Sequence, residues 1–243
     1  MGVFANCEAD RGSHKIAQTQ FQAQRLRTHW GTASTVLPSI VLMPPEGSQP
    51  KRSERRFRVL WVGRLDPVKR VEWVVDIAQR MPETDFVVVG GPAVNAPAYV
   101  ETVRPLLTAC PNVQWLGFVP YAQVAAWFQT AQVLLHTSAP GTEGFPNVLL
   151  QAWAAGIPVV STGSDPDGLL TKAGLGFCAH TVDEAAAMLR QLAADPARCR
   201  AIGAQGRRYV WEHHRPEAVI PRLAGLFRGL LTSDSGAPAG RDN

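Results

Sequence analysis

Short, nearly continuous apolar runs, three of them stopped by a glycine and followed by a helix-period stretch, constrain this sequence more than any other feature. Val59-Leu60-Trp61-Val62 stops at Gly63, Phe86-Val87-Val88-Val89 at Gly90-Gly91, and Val113-Gln114-Trp115-Leu116 at Gly117. Val133-Leu134-Leu135-His136 leads into a glycine-bearing loop, Val159-Val160 follows a helical stretch, and Phe177 marks a sixth, short strand. Such runs lack the alternation of a sheet with one wet face, so both faces must be covered. Apolar periodicity places helices between them over 68–80, 98–109 and 121–130. The expectation is an α/β fold, a Rossmann-like parallel sheet with helices on both faces. Ligands of such sheets gather outside the carboxyl ends of the strands. Gly63, Gly90, Gly117 and the loop after His136 all lie there.

The stretch 137–161, TSAPGTEGFPNVLLQAWAAGIPVVS, reads as strand end, glycine loop, short helix and second strand. Pro146 sits where a first helical residue is favoured, because its missing N–H is not needed there. Val148, Leu149, Ala152, Trp153 and Ala155 recur at helical spacing, Gly156 is a natural stop and Pro158 blocks continuation. The N–H groups of Asn147 and Val148 have no intrahelical partner and carry the positive end of the dipole, which suits phosphate or another anion. Glu143 precedes that start, and Gln151 lies one turn beyond Asn147. Each has two readings at this point. Glu143 accepts from ligand hydroxyls or merely offsets the dipole; Gln151 serves the ligand or is a polar surface residue.

A chain of 243 residues, 46% apolar and 18% charged, can bury a substantial core and is too poor in charge for a disordered one. The net charge of +4 is compatible with phosphate-bearing ligands or an anionic membrane surface and selects neither. No motif that reads DNA or RNA accompanies it. Cys7, Cys110, Cys178 and Cys199 are widely spaced without a CxxC pair, which argues against a zinc site or disulfide scaffold and suits a reducing cytoplasm. There is no apolar run long enough to span a bilayer, no signal peptide and no internal repeat.

Residues 1–13 look like a loop, 14–30 like a helix ending at Gly31, and Thr35-Val36-Leu37 like a short strand. The polar, proline-punctuated stretch 46–56 reads as a linker. Thr181-Val182-Asp183-Glu184 has capping-box spacing and opens a helix to Ala194, followed by helices over 197–211 and 217–231. The expected organisation is an N-terminal remnant and linker over 1–56, a ligand-binding domain over 57–231 and a mobile tail over 232–243.

With these landmarks in order, Gly63-Arg64-Leu65 with Lys69, and EGFPNVLLQAWAAGIPVV at 143–160, resemble the donor-binding half of a GT-B glycosyltransferase. The nearest class is the retaining family four, and the resemblance covers 57–231. It implies a nucleoside-diphosphate sugar as donor, no cofactor and no metal. Arg64 and Lys69 would hold the diphosphate, stabilising the leaving group without a metal. Their alternative reading as exposed cations at a helix start is disfavoured by the dipole. Glu143 would take hydroxyls of the transferred sugar. The remaining donor contacts would come from Gly63, Gly117, Phe118, Val119, Gly144, Phe145, Asn147, Val148 and Gln151. The family's second motif carboxylate is replaced by Gln151, which accepts through its carbonyl but without charge.

Asp165-Pro166-Asp167 imitates an Asp-x-Asp metal motif but follows a strand as ordinary turn chemistry. His213-His214 reads as a solvated pair, and His136 either lines the cleft or is a satisfied strand-end histidine. The resemblance implies transfer to a sugar, lipid-linked or small-molecule acceptor in polysaccharide or glycoconjugate synthesis, in the cytoplasm, with peripheral membrane contact allowed. The resemblance implies a first, acceptor-binding domain for which the 56 residues before the donor domain are too few. The chain therefore reads as a fragment, a truncated gene product or one half of a two-chain enzyme whose partner is an acceptor-domain chain. The alternatives are a non-catalytic nucleotide-sugar binding module and a GT-B epimerase, against which the EGFPN block argues.

Overall fold

Residues 14–45, 56–93 and 96–234 are described by the computed structural model. The chain enters through β1 (Lys15–Ala17), α1 (Gln20–Trp30) and β2 (Ser34–Val36), and the two strands pair in parallel. The single helix expected over 14–30 is therefore divided. Thr19 divides it: its extended backbone ends the strand, and its hydroxyl accepts the Gln22 N–H at 3.0 Å to cap α1. The loop expected over 1–13 and residues 46–55 of the expected linker lie outside the described residues.

The main sheet has six strands, β3 (Arg58–Val62), β4 (Asp85–Val89), β5 (Val113–Trp115), β6 (Val133–His136), β7 (Val159–Thr162) and β8 (Gly176–Ala179). All pair in parallel, in the order β5-β4-β3-β6-β7-β8. Between and after them run α2 (Glu72–Gln79), α3 (Pro97–Ala109), α4 (Tyr121–Thr130), α5 (Asn147–Ala154), α6 (Val182–Ala194), α7 (Pro196–His213) and α8 (Pro216–Asp234). Successive strand residues face opposite ways. Val59, Trp61, Phe86 and Val88 join Val74, Ile77, Val103, Leu107 and Leu189 from α2, α3 and α6. Leu60, Val87 and Val89 join Val124, Phe128, Leu149, Trp153 and Val210 from α4, α5 and α7. The double-sided cover inferred from the apolar runs is thus present.

Three boundaries differ from the sequence reading. The helix expected over 68–80 becomes a 3-10 turn at Pro67–Lys69 followed by α2, because Asp66 caps the turn and Arg70 then adopts a left-handed backbone, φ 47°. Helix α5 starts at Asn147 with Pro146 as its cap residue, one position later than expected. Helix α8 continues to Asp234, into the stretch expected to be tail; residues 235–243 lie outside the described residues. Gly156 does end α5 as expected, at φ 68°, with the Ile157 N–H returning to Ala152 O at 3.0 Å.

The N-terminal unit is pinned at two points. The Asp167 carboxylate accepts from Gln20 N and Phe21 N at the start of α1. His214 donates from Nδ1 to Ser39 O at 2.8 Å, while its own carbonyl accepts the Val41 N–H at 3.0 Å. His214 is buried against Phe145 and Tyr209, which corrects the expectation of a solvated histidine pair. Desolvation accordingly lowers its pKa.

Helix α7 approaches α5 closely because it carries two glycines at the contact. A Cβ on Gly203 would sit 2.1 Å from the Gly156 carbonyl oxygen, and one on Gly206 would sit 2.5 Å from Trp153 Cδ1. Trp153 is fully buried and its indole N–H is held by Leu175 O. Gly203→Ala gains helix propensity but forces backbone apart, and overpacking dominates. We expect a net loss of about 1–3 kcal/mol in urea unfolding; an unchanged or raised midpoint would contradict this packing.

Candidate functional site

Strands β3 and β6 are neighbours whose chains leave in opposite directions, β3 towards β4 and β6 towards β7. That reversal opens a crevice at their carboxyl ends. One wall is the β3–α2 turn, carrying Arg64 and Lys69; the other is the β6–α5 loop, carrying Glu143. The glycines expected at the strand ends stand side by side. Gly63 N–H donates to Val89 O and Gly90 N–H to Gly117 O, at 3.0 and 2.9 Å. Gly90 has no room for a side chain, since a Cβ would lie 1.7 Å from Gly63 O.

The two walls are laced together before any ligand is considered. Trp61 Nε1 donates to Thr137 Oγ1 at 2.8 Å, Thr137 Oγ1 donates to Lys69 O, and Ala139 N–H donates to Val68 O. Arg70 is the residue that the sequence reading missed. Its guanidinium donates to the carbonyls of Thr137 and Thr162 at 2.7 Å and of Ser138 at 3.0 Å, and stacks 4.0 Å from the Trp73 ring centroid. Burial lowers its pKa, partly countered by the Glu72 carboxylate. Bonds to three carbonyls offset the roughly 1–2 kcal/mol of a left-handed non-glycine residue. Two adjacent basic residues, Lys69-Arg70, were the only available signal.

Lys69 Nζ donates to Glu143 Oε1 at 2.7 Å, with both side chains largely shielded from solvent. His136, 4% exposed, reaches the same oxygen from Nε2 at 3.1 Å and Ser161 Oγ from Nδ1 at 3.1 Å. Burial by itself raises the Glu143 pKa, but His136 and Lys69 together more than offset this and hold it at about 2. The carboxylate is therefore ionised, with Oε1 doubly held. Arg64 is exposed on the same turn as Lys69 and makes no ion pair among the described residues.

The remaining expected site residues divide. Gly144 and Asn147 are exposed at the start of α5, and Val148 is half-buried. The space beside Gly144 is taken by Gln22 of α1, whose Nε2 would lie 2.0 Å from a Cβ there. The Phe145 side chain faces Trp153 and His214 in the core, so that only its backbone remains for a ligand. Phe118 is 77% exposed beside Gly91, while Val119 packs into the second core cluster. Gln151 Nε2 donates to the Tyr121 hydroxyl at 3.3 Å, which leaves the amide oxygen as its accepting end. Asp165 is engaged by Leu170 N–H and the Thr171 hydroxyl, and Asp167 caps α1. An apolar cavity of about 320 Å³ lies between residues 41–45 and α4–α5, with Tyr121 and Gln151 on its wall. It contains none of the charged groups, so the polar cluster, not this cavity, defines the site.

Comparison with known proteins identifies the family and the fold. The model of the family described as glycosyl transferases group 1 matches residues 56–195. The chain belongs to that family. It is 31% identical over 193 residues to the GDP-mannose-dependent alpha-(1-6)-phosphatidylinositol monomannoside mannosyltransferase of Mycobacterium tuberculosis, covering 73% of this chain and 49% of that protein. The chain thus spans about half the length of the curated relatives it matches. Among solved structures, a glycosyltransferase from Rickettsia africae aligns with a TM-score of 0.81 at 14% identity, over 95% of this chain and 69% of that one. Anabaena Alr3699/HepE in complex with UDP and glucose aligns at 0.75 and 20% identity, over 89% and 63%. The sheet is that of a GT-B half. No helix among the described residues is long and apolar enough to cross a membrane.

The Glu143 carboxyl supplies a pH test of this site. Its folded value of about 2 lies below the ordinary 4.5, so the unfolded chain binds more protons between the two. Its stabilising contribution is complete above about pH 4.5 and is lost as pH falls towards 2. Urea unfolding of the wild type and of Glu143→Gln should differ most above that upper value and converge below it. A constant gap across the range would show that the carboxylate is not held as described.

Proposed function

We propose that this chain is the donor-binding half of a retaining glycosyltransferase, which takes a sugar from a nucleoside-diphosphate sugar and passes it to a sugar, lipid-linked or small-molecule acceptor. One observation carries the reading: a shielded cation and an ionised carboxylate, Lys69 and Glu143, meet across the crevice at the strand-order reversal, beside a free arginine. The diphosphate lies against Arg64, Lys69 and the N–H groups at the start of α5, at the positive end of the helix dipole. As the sugar departs, charge builds on the diphosphate, and fixed cations stabilise it without a metal. Lys69 then exchanges Glu143 for phosphate, and Glu143 faces the sugar. Phe118 and Val119 flank the base, and the Gln151 amide oxygen accepts from the ribose.

Relatives named for GDP-mannose and neighbours bound to UDP support a nucleotide sugar as partner without selecting the base. A second reading, a nucleotide-sugar binding module without catalysis, is favoured by one residue, Gln151, which leaves the ribose position without a charge.

Arg64→Ala should weaken GDP or UDP binding about ten- to a hundredfold, the loss expected of one charge-assisted hydrogen bond. Calorimetry on the folded variant checks it, and unchanged affinity for both nucleotides would remove Arg64 from the site. Residues 1–243 alone should bind GDP-mannose or UDP-glucose yet transfer sugar slowly, because the acceptor must be held against the anomeric carbon by a second wall. Such positioning lowers barriers by roughly 7–11 kcal/mol. Losing about half of that slows turnover by three to four powers of ten. Radiolabel transfer by this chain at several turnovers per second would overturn the half-enzyme reading; restoration of transfer by an added acceptor domain would support it over the binding module.

A further inference from the structure

Glu143 is held asymmetrically. Oε1 receives both Lys69 Nζ and His136 Nε2, whereas Oε2 has no hydrogen bond among the described residues. Of the two donors, Lys69 is the one with competing work, since it carries the charge that a diphosphate would attract. His136 has none. It is fixed inside the sheet edge, 4% exposed, with Ser161 Oγ on its other nitrogen, and Ser161 itself is fully buried. The Ser161–His136–Glu143 chain superficially resembles a hydrolytic triad, but a serine without any solvent access cannot reach a substrate. The direction of the chain is set by its ends. An ionised carboxylate only accepts, so Nε2 carries the proton; in the neutral ring Nδ1 then accepts from the Ser161 hydroxyl.

We propose that His136 is a positioning residue for Glu143: it fixes Oε1 from the buried side, so that Oε2 stays aimed at a hydroxyl of the donor sugar when Lys69 leaves for the diphosphate. This rests on the donor-binding reading above. It assigns sugar recognition, as distinct from nucleotide recognition, partly to a residue that touches no ligand. The bland alternative is a core histidine that satisfies its own two nitrogens. The two differ in what a substituted side chain must keep. For positioning, one N–H at the Nε2 place suffices; for packing, shape suffices.

The experiment uses three variants of the full chain with GDP-mannose, UDP-glucose, GDP and UDP as probes. His136→Leu keeps volume and loses the donor, His136→Gln returns an N–H near the Nε2 position, and His136→Asn returns one only near Nδ1. The expected result is a roughly tenfold loss of nucleotide-sugar affinity in the Leu and Asn variants. Affinity for the bare diphosphates stays unchanged, and the Gln variant recovers most of the loss. A second readout needs no ligand. The Glu143 carboxyl, followed by carbon-13 NMR, should titrate higher in His136→Leu than in wild type or His136→Gln, with Lys69 as the remaining charged neighbour. Equal loss for sugars and bare nucleotides, or no rescue by Gln, would overturn the positioning role, as would an unmoved titration. If wild type binds none of the probes while the titration still moves, the donor-binding reading falls and His136 keeps only its hold on Glu143; the sugar-directed role is then overturned with it.

Discussion

Two parallel strands that lie side by side but send their chains in opposite directions leave a crevice that no backbone can cross. Everything specific to this molecule is arranged around that gap between β3 and β6. The sheet needs it closed enough to be stable, and a ligand needs it open. The compromise is to lace the crevice floor mainly with side chains, alongside one main-chain bond from Ala139 N–H to Val68 O. Trp61, Thr137 and Arg70 bind the β3–α2 turn to the ends of β6 and β7 through buried hydrogen bonds. The half-buried guanidinium of Arg70 is the centre of that lacing. It donates to three carbonyls at the ends of β6 and β7, and shielded carbonyls left unpaired would be costly.

Because the floor is fixed, the polar groups above it are fixed as well. Lys69 is the residue immediately before Arg70, and its own carbonyl is held by Thr137. Its side chain therefore has a defined origin from which to reach Glu143. Glu143, in turn, follows His136 by seven residues, and the loop between them folds back so that the imidazole meets the carboxylate. Charge complementarity in the crevice is thus built from short sequence separations on each wall and one long-range contact between walls. The backbone origins of both charged side chains are thereby fixed, while the Lys69–Glu143 contact itself is one that a competing anion can exchange.

The sheet, its cover on both faces and the place of the crevice were legible in the sequence, since buried parallel strands must be apolar throughout. Glu143, Lys69 and the start of α5 were legible because a motif fixes their spacing. What escaped was tertiary. Arg70 reads as one more surface arginine until its neighbours are known, because nothing in a single sequence announces which carbonyls will lack partners. Phe145 reads as a loop residue, yet its ring belongs to the core with Trp153 and His214. His214 reads as solvated because helix α7 ends there, whereas the segment after β2, at Ser39 and Val41, comes back to cover it. The division of the first helix at Thr19 was missed because loose apolar spacing outweighed a capping residue.

These long-range contacts also connect the site with the N-terminal unit. Gln22 fills the space beside Gly144, the Asp167 carboxylate caps α1, and His214 touches both Ser39 and the ring of Phe145. The loop that carries Glu143 therefore has the sheet domain on one side and the β1–α1–β2 unit on the other. A side chain at 144 would have to displace the Gln22 amide, the movable end of a flexible side chain, so the packing here favours glycine without demanding it. The same residue that reads as part of a glycine-rich loop in one dimension is, in three, the point where the β6–α5 loop meets the N-terminal unit at Gln18 and Gln22.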